Sequence, residues 1–94
     1  MSELVVVVTG ATDGIGKETA RGLLATGAHV IVHGRNKPRV DAAVAALSAA
    51  VPTGHVEGIS FDLGSMTAVR NGAAALLARL PRIDVLINNA GIFA

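Results

Sequence analysis

Cysteine, tryptophan and tyrosine are all missing from this 94-residue sequence, and each absence closes off a kind of chemistry. Without cysteine there is neither a disulfide nor a thiolate metal site, which fits a reducing, intracellular setting. Phe61 and Phe93 are the only aromatic residues, too few to build a stacking platform for unpaired bases. Eight basic and seven acidic residues leave a net charge of +1, and the basic ones are scattered without a run. No nucleic-acid stripe or polybasic membrane patch follows from that pattern. The N-terminus lacks a basic n-region, and its apolar run of about five residues is far below the ~20 that span a bilayer. The expectation is a soluble, cytoplasmic protein with no membrane or nucleic-acid partner.

What is present is aliphatic. Hydrophobic residues make up 51% of the chain, mostly Ala, Val, Leu and Ile, a composition suited to helices packed closely on a sheet. A chain of this length makes one small domain that buries roughly 60–65% of its unfolded surface.

Strand and helix patterns alternate throughout. Residues 4–9 form a continuous β-branched run, as in a strand buried on both faces. Residues 15–26 read as a helix with Ala20, Leu23 and Leu24 inward and Gly27 just past its end. Residues 28–33 form a second strand. Asn36 is placed to cap a second helix, Pro38 sits in its first turn, and Val40, Val44, Leu47 and Val51 make an apolar stripe. After Pro52-Thr53-Gly54 comes a third strand, His55 to Phe61, whose alternation and Glu57 suggest an edge. Ser65 can cap a third helix with Val69, Ala73, Leu76 and Leu80 on one face, and Pro81 ends it. Residues 83–87 are a fourth strand, apolar enough to be central, followed by Asn88-Asn89-Ala90-Gly91.

The order β-α-β-α-β-α-β implies an α/β fold with a parallel sheet and right-handed crossovers. It is the N-terminal half of a doubly wound Rossmann fold, with strand order 3-2-1-4 and helices on both faces. The fourth strand then has an unpaired outer edge, which could pair with a second copy of the chain. Residues 1–94 are accordingly expected to form a single half-domain.

The chemistry concentrates where the first strand meets the first helix. Gly10 permits a tight turn, Gly14 lets backbone approach a phosphate without a Cβ in the way, and Gly16 allows close helix–sheet packing. The helix N-terminus adds unpaired N–H groups and positive dipole character for an anion such as a dinucleotide pyrophosphate. The spacing Gly10-x-x-x-Gly14-x-Gly16 differs from the usual G-x-G-x-x-G fingerprint.

The segment Thr9-Gly10-Ala11-Thr12-Asp13-Gly14-Ile15-Gly16 resembles the T-G-x-x-x-G-I-G motif of the short-chain dehydrogenases/reductases. Asn88-Asn89-Ala90-Gly91 is similar to that family's N-N-A-G motif, and Asp62-Leu63 matches its acidic position after the third strand. Residues 17–20 and 33–36 are most similar to the branch of retinol dehydrogenases and protochlorophyllide reductases. The resemblance implies a nicotinamide-dependent oxidoreductase acting on alcohols or carbonyls. It places Gly10, Thr12, Asp13, Gly14, Ile15 and Gly16 along the phosphate and ribose path, Asp62 and Leu63 at the adenine, and Asn89, Ala90 and Gly91 along the ribose.

The end of the second strand bears on which cofactor is used. NAD-dependent enzymes place a carboxylate there for the ribose 2′-OH. This chain has Gly34, then Arg35 and Asn36, and a guanidinium suits a 2′-phosphate. NADP(H) is favoured over NAD(H), with Asp13 a mild counter-indication.

The resemblance also implies an acid/base tyrosine, a lysine one helical turn on and a carbonyl-orienting serine. No tyrosine is present, and the only lysines, Lys17 and Lys37, fall in the first two helices. No catalytic residue is therefore assigned, and the 94 residues alone are expected to bind cofactor without turnover. A stand-alone binding module and a self-associating half-fold remain the alternatives. The three histidines, His29, His33 and His55, lack helical ligand spacing and read as surface or turn residues, so no metal site is assigned.

Overall fold

The computed structural model describes residues 4–12, 14–62, 64–79 and 83–87. Seven elements alternate along them: β1 (Val5–Val8), α1 (Gly14–Ala25), β2 (His29–Gly34), α2 (Lys37–Ala50), β3 (His55–Ser60), α3 (Met66–Arg79) and β4 (Val85–Ile87). All strand pairs are parallel and the sheet order is β3-β2-β1-β4. Strand–helix–strand crossovers connect these parallel strands, and the order reverses between β1 and β4.

Alternation along the strands divides the core into two layers. Val6, Val8, Val30 and Val32 face Ala20 and Leu24 of α1 and Ala43 and Leu47 of α2. Val5, Val7 and Ile31 face the other way, onto Leu76 of α3. Every residue of β1 and β2 is buried, which is why their sequences are unbroken apolar runs instead of alternating ones.

Local chemistry sets the helix ends. Gly27 adopts a φ of +94°, which turns the chain so that the Ala28 N–H reaches the Leu23 carbonyl at 3.3 Å. Asn36 Oδ1 accepts from the Arg39 N–H at 3.0 Å, capping α2 ahead of Pro38. Ser65 Oγ accepts from the Ala68 N–H at 3.2 Å and caps α3. Gly58 lets α2 lie close on β3, since a Cβ there would stand 2.5 Å from a Val40 methyl.

Three expectations need correction. Among the described side chains of α3, Gly72 and Leu76 are buried and Val69 is half-buried, while Ala73 is exposed. Phe61 is the cause: a Cβ on residue 72 would come within 2.5 Å of its ring, so the helix turns its glycine to the phenyl group. Leu80 lies outside the described residues. The fourth strand spans only Val85–Ile87, shorter than the expected 83–87, and is last in the order of the described strands, with Leu86 63% exposed. Asp84 ties its start to β1 instead, accepting from the Val5 N–H at 2.8 Å and donating its own N–H to the Val5 carbonyl at 2.9 Å. Finally, His29 and His33 are buried, at 7% and 2% exposure, and are not surface residues. Both belong to β2, which has a neighbour on each side and a helix layer on each face.

Candidate functional site

The C-terminal ends of the strands converge on the turn that follows β1. Thr9 donates its N–H to the Ile87 carbonyl at 3.0 Å, and Ala11 donates to the His33 carbonyl at 2.9 Å. The turn is thus stitched to β4 on one side and to β2 on the other, at the switch in strand order. Gly10 and Gly14 have φ values of +61° and +60°, which only glycine adopts without strain. Gly14 opens α1, and a Cβ built on it would meet nothing within 4 Å. That open space lies directly before a helix N-terminus, where backbone N–H groups lack intrahelical partners.

Ile15 is 78% exposed beside it, whereas Gly16 is buried beneath. A solvent-open depression lined by Gly14, Ile15, Lys17, Glu18 and Thr19 runs along the start of α1. The glycines therefore divide the work: two shape the turn, and the third brings the helix onto the sheet.

At the end of β2, Gly34 is buried because two side chains occupy the space of its missing one. A Cβ there would lie 2.5 Å from Thr12 Cγ2 and 2.8 Å from Val40 Cγ2. Arg35 follows, exposed, and Asn36 turns its side chain to the α2 cap. Across the rim, Asp62 is exposed and Oδ1 accepts from the Gly64 N–H at 2.8 Å, an Asx-type turn leading into α3. The structure thus brings Gly10, Thr12, Gly14, Ile15, Gly16, Arg35, Asn36 and Asp62 onto one rim of the sheet. Asp13, Leu63, Asn89, Ala90 and Gly91 lie outside the described residues.

His33, which the sequence analysis read as a surface or turn residue, links the parts of this rim. Its Nδ1 accepts from the Gly10 N–H at 3.4 Å, and its Nε2 meets the Phe61 carbonyl at 2.9 Å. That network assigns the neutral tautomer with the proton on Nε2. The Phe61 ring lies against it at 4.4 Å. Burial holds the His33 pKa below its ordinary value near 6.5, opposed in part by the hydrogen bond to Phe61.

The consequence for stability has a definite sign. A depressed folded-state pKa means that the unfolded chain takes up a proton that the folded one refuses. The stability present above pH 6.5 falls as pH drops through that value and on toward the lowered folded pKa. Its limiting slope is about 1.4 kcal/mol per pH unit. Urea unfolding at several pH values between 7.5 and 5.5 measures this, and His33→Gln is expected to flatten the profile. An unchanged profile in that variant would show that His33 does not titrate across the window.

A parallel α/β sheet with a glycine turn and helix N-terminus at its switch point defines a dinucleotide-binding fold. Comparison with known sequences then specifies which one. The short chain dehydrogenase family matches residues 4–94, and the chain belongs to that family.

Human retinol dehydrogenase 13 is 38% identical over 87 residues, covering 93% of this chain and 26% of that protein. A metagenomic short-chain oxidoreductase solved with NADP superposes with a TM-score of 0.87 at 38% identity, covering 98% of this chain and 41% of that one. L-sorbose reductase from Gluconobacter frateurii, solved with NADPH and L-sorbose, has a TM-score of 0.86 at 28% identity, covering 100% and 35%. The chain spans about a quarter of the length of the curated relatives it matches. No helix among the described residues is long and apolar enough to cross a membrane.

Proposed function

We propose that these 94 residues are the cofactor-binding part of a short-chain dehydrogenase/reductase, that the cofactor is NADP(H), and that the reaction served interconverts alcohols and carbonyls. The observation that carries the cofactor choice is the packing at Gly34. A carboxylate needs a Cβ to hang from, and Thr12 and Val40 already occupy that volume. With no acidic side chain accommodated there, the next residue, exposed Arg35, meets the 2′ position, where a guanidinium favours phosphate over hydroxyl. Related structures solved with NADP or NADPH support the same choice.

In this reading the open backbone at Gly14 and the start of α1 receive the diphosphate. Thr12, Asp13 and Ile15 border it, with Gly10 shaping the turn. Asn36 holds the Arg35 loop through its helix cap. Asp62 and Leu63 flank the adenine, and Asn89, Ala90 and Gly91 run along the ribose. The bound nicotinamide supplies hydride transfer. The 94 residues contain no tyrosine for the family's proton transfer, so they bind cofactor without turning substrate over.

Arg35→Ala tests the cofactor assignment. Losing a charge-assisted contact of this kind costs about 1.5–3 kcal/mol, so NADPH affinity is expected to fall roughly 10- to 150-fold. NADH affinity should hardly move. Equal losses for the two cofactors would mean that Arg35 does not read the phosphate.

A second reading, self-association through β4, is favoured by one observation. Val85 and Leu86 are 41% and 63% exposed on the outermost described strand. Sedimentation across a range of concentrations decides it, with a dimer supporting pairing through that edge and a concentration-independent monomer opposing it.

A further inference from the structure

At the opposite rim of the sheet, the N-terminal ends of β2 and β3 bring His29 together with His55 and Glu57, which lie far from it in sequence. The strand register places His29 beside His55 and Ile31 beside Glu57. With a side-chain period of two, His29, His55 and Glu57 all leave the face covered by α3. His29 Nε2 lies 2.6 Å from Glu57 Oε2, and His55 Nε2 lies 3.9 Å from the same oxygen. One ligand atom from each of the three residues falls within 4.8 Å of the others.

We propose that His29, His55 and Glu57 form a binding site for a single divalent transition-metal ion of the zinc type. The donor chemistry selects the ion. Two imidazole nitrogens and one carboxylate oxygen suit Zn²⁺ and its neighbours in the first transition row, while Ca²⁺ and Mg²⁺ require oxygen-rich shells. Tetrahedral coordination at roughly 2.0–2.2 Å sets donors about 3.4 Å apart. The 2.6 Å His29–Glu57 contact therefore opens by about 0.8 Å and the 3.9 Å His55–Glu57 contact closes by about 0.5 Å.

Burial favours such an adjustment. The His29 side chain is 9% exposed and fixed in the sheet, Glu57 is 28% exposed, and His55, at 56%, is the most exposed of the three. The exposed side leaves room for water as a fourth ligand.

The two imidazole rings now stack with centroids 3.6 Å apart and planes 5° from parallel. Nitrogen lone pairs lie in the ring planes, so two cofacial rings cannot both point at one ion. Metal binding must swing the His55 ring out of the stack, which gives the site a spectroscopic signature. The ion then clasps β3, the edge strand, to β2. The site lies at the far end of the strands from the glycine turn, so its occupancy does not depend on the cofactor assignment.

The test is a Zn²⁺ titration of the full chain, followed by calorimetry and by histidine ring-nitrogen NMR. One ion per chain is expected, saturating below about 1 mM metal. The His29 and His55 resonances should shift while those of His33 stay in place. Removing an outer-shell partner of a metal ligand typically costs 10–100-fold in affinity, so loss of a ligand itself should cost at least tenfold. His55→Ala and Glu57→Gln are each expected to weaken binding by that much, with far-UV circular dichroism confirming that both variants remain folded. Absence of saturation at 1 mM, or undiminished binding in folded His55→Ala, overturns the site and leaves the cluster as a hydrogen-bonded ring stack.

Discussion

Gly14→Ala is expected to weaken NADPH binding by about 100-fold, roughly 2.7 kcal/mol, while costing the fold only about 1–2 kcal/mol. The two effects separate because this glycine is constrained by backbone conformation and not by protein neighbours. Its φ of +60° strains any residue with a Cβ, but the added methyl meets no protein atom within 4 Å. The space it enters is where a diphosphate would approach the start of α1. Calorimetry gives the first number and urea unfolding the second. A folded Gly14→Ala variant that binds NADPH as well as the parent chain would remove the diphosphate from this turn.

The largest loss of stability is expected from Leu24→Ala, at about 2–5 kcal/mol. Leu24 is 2% exposed, belongs to the cluster between α1 and the sheet, and also fills the space beside Gly54. Truncation leaves a cavity walled by β-branched strand residues, which collapse poorly around a void. At roughly 0.05–0.15 kcal/mol per residue, the whole domain holds on the order of 5–14 kcal/mol, so this one change removes a large share. Thermal midpoints should fall by at least about 8 °C. Leu86→Ala offers the contrast, since an exposed leucine should cost no more than about 0.5 kcal/mol. Comparable losses at both positions would mean that β4 is covered in solution.

The strand order was readable from the sequence because β1 and β2 carry unbroken apolar runs, and the glycine spacing marked where the crevice opens. The caps at Asn36 and Ser65 were readable for the same kind of reason: one polar side chain satisfies one helix end locally. What escaped was tertiary. The α3 face shifted to Gly72 because of the Phe61 ring, a partner eleven residues earlier whose position the helix pattern does not encode. The histidines were misread for a similar reason. Ligand spacing along a helix is visible in sequence, but the register that sets His29 beside His55 exists only once β2 and β3 pair. His33 gave no sequence signal beyond lying next to Gly34, and its links to Gly10 and Phe61 emerge only from the fold.

The central claim, that this rim holds NADP(H), is tested most directly by calorimetric titration of the chain with NADPH and then with NADH. Saturable NADPH binding at least tenfold tighter than NADH is the predicted result. Binding of neither cofactor, or equal binding of both, would contradict it.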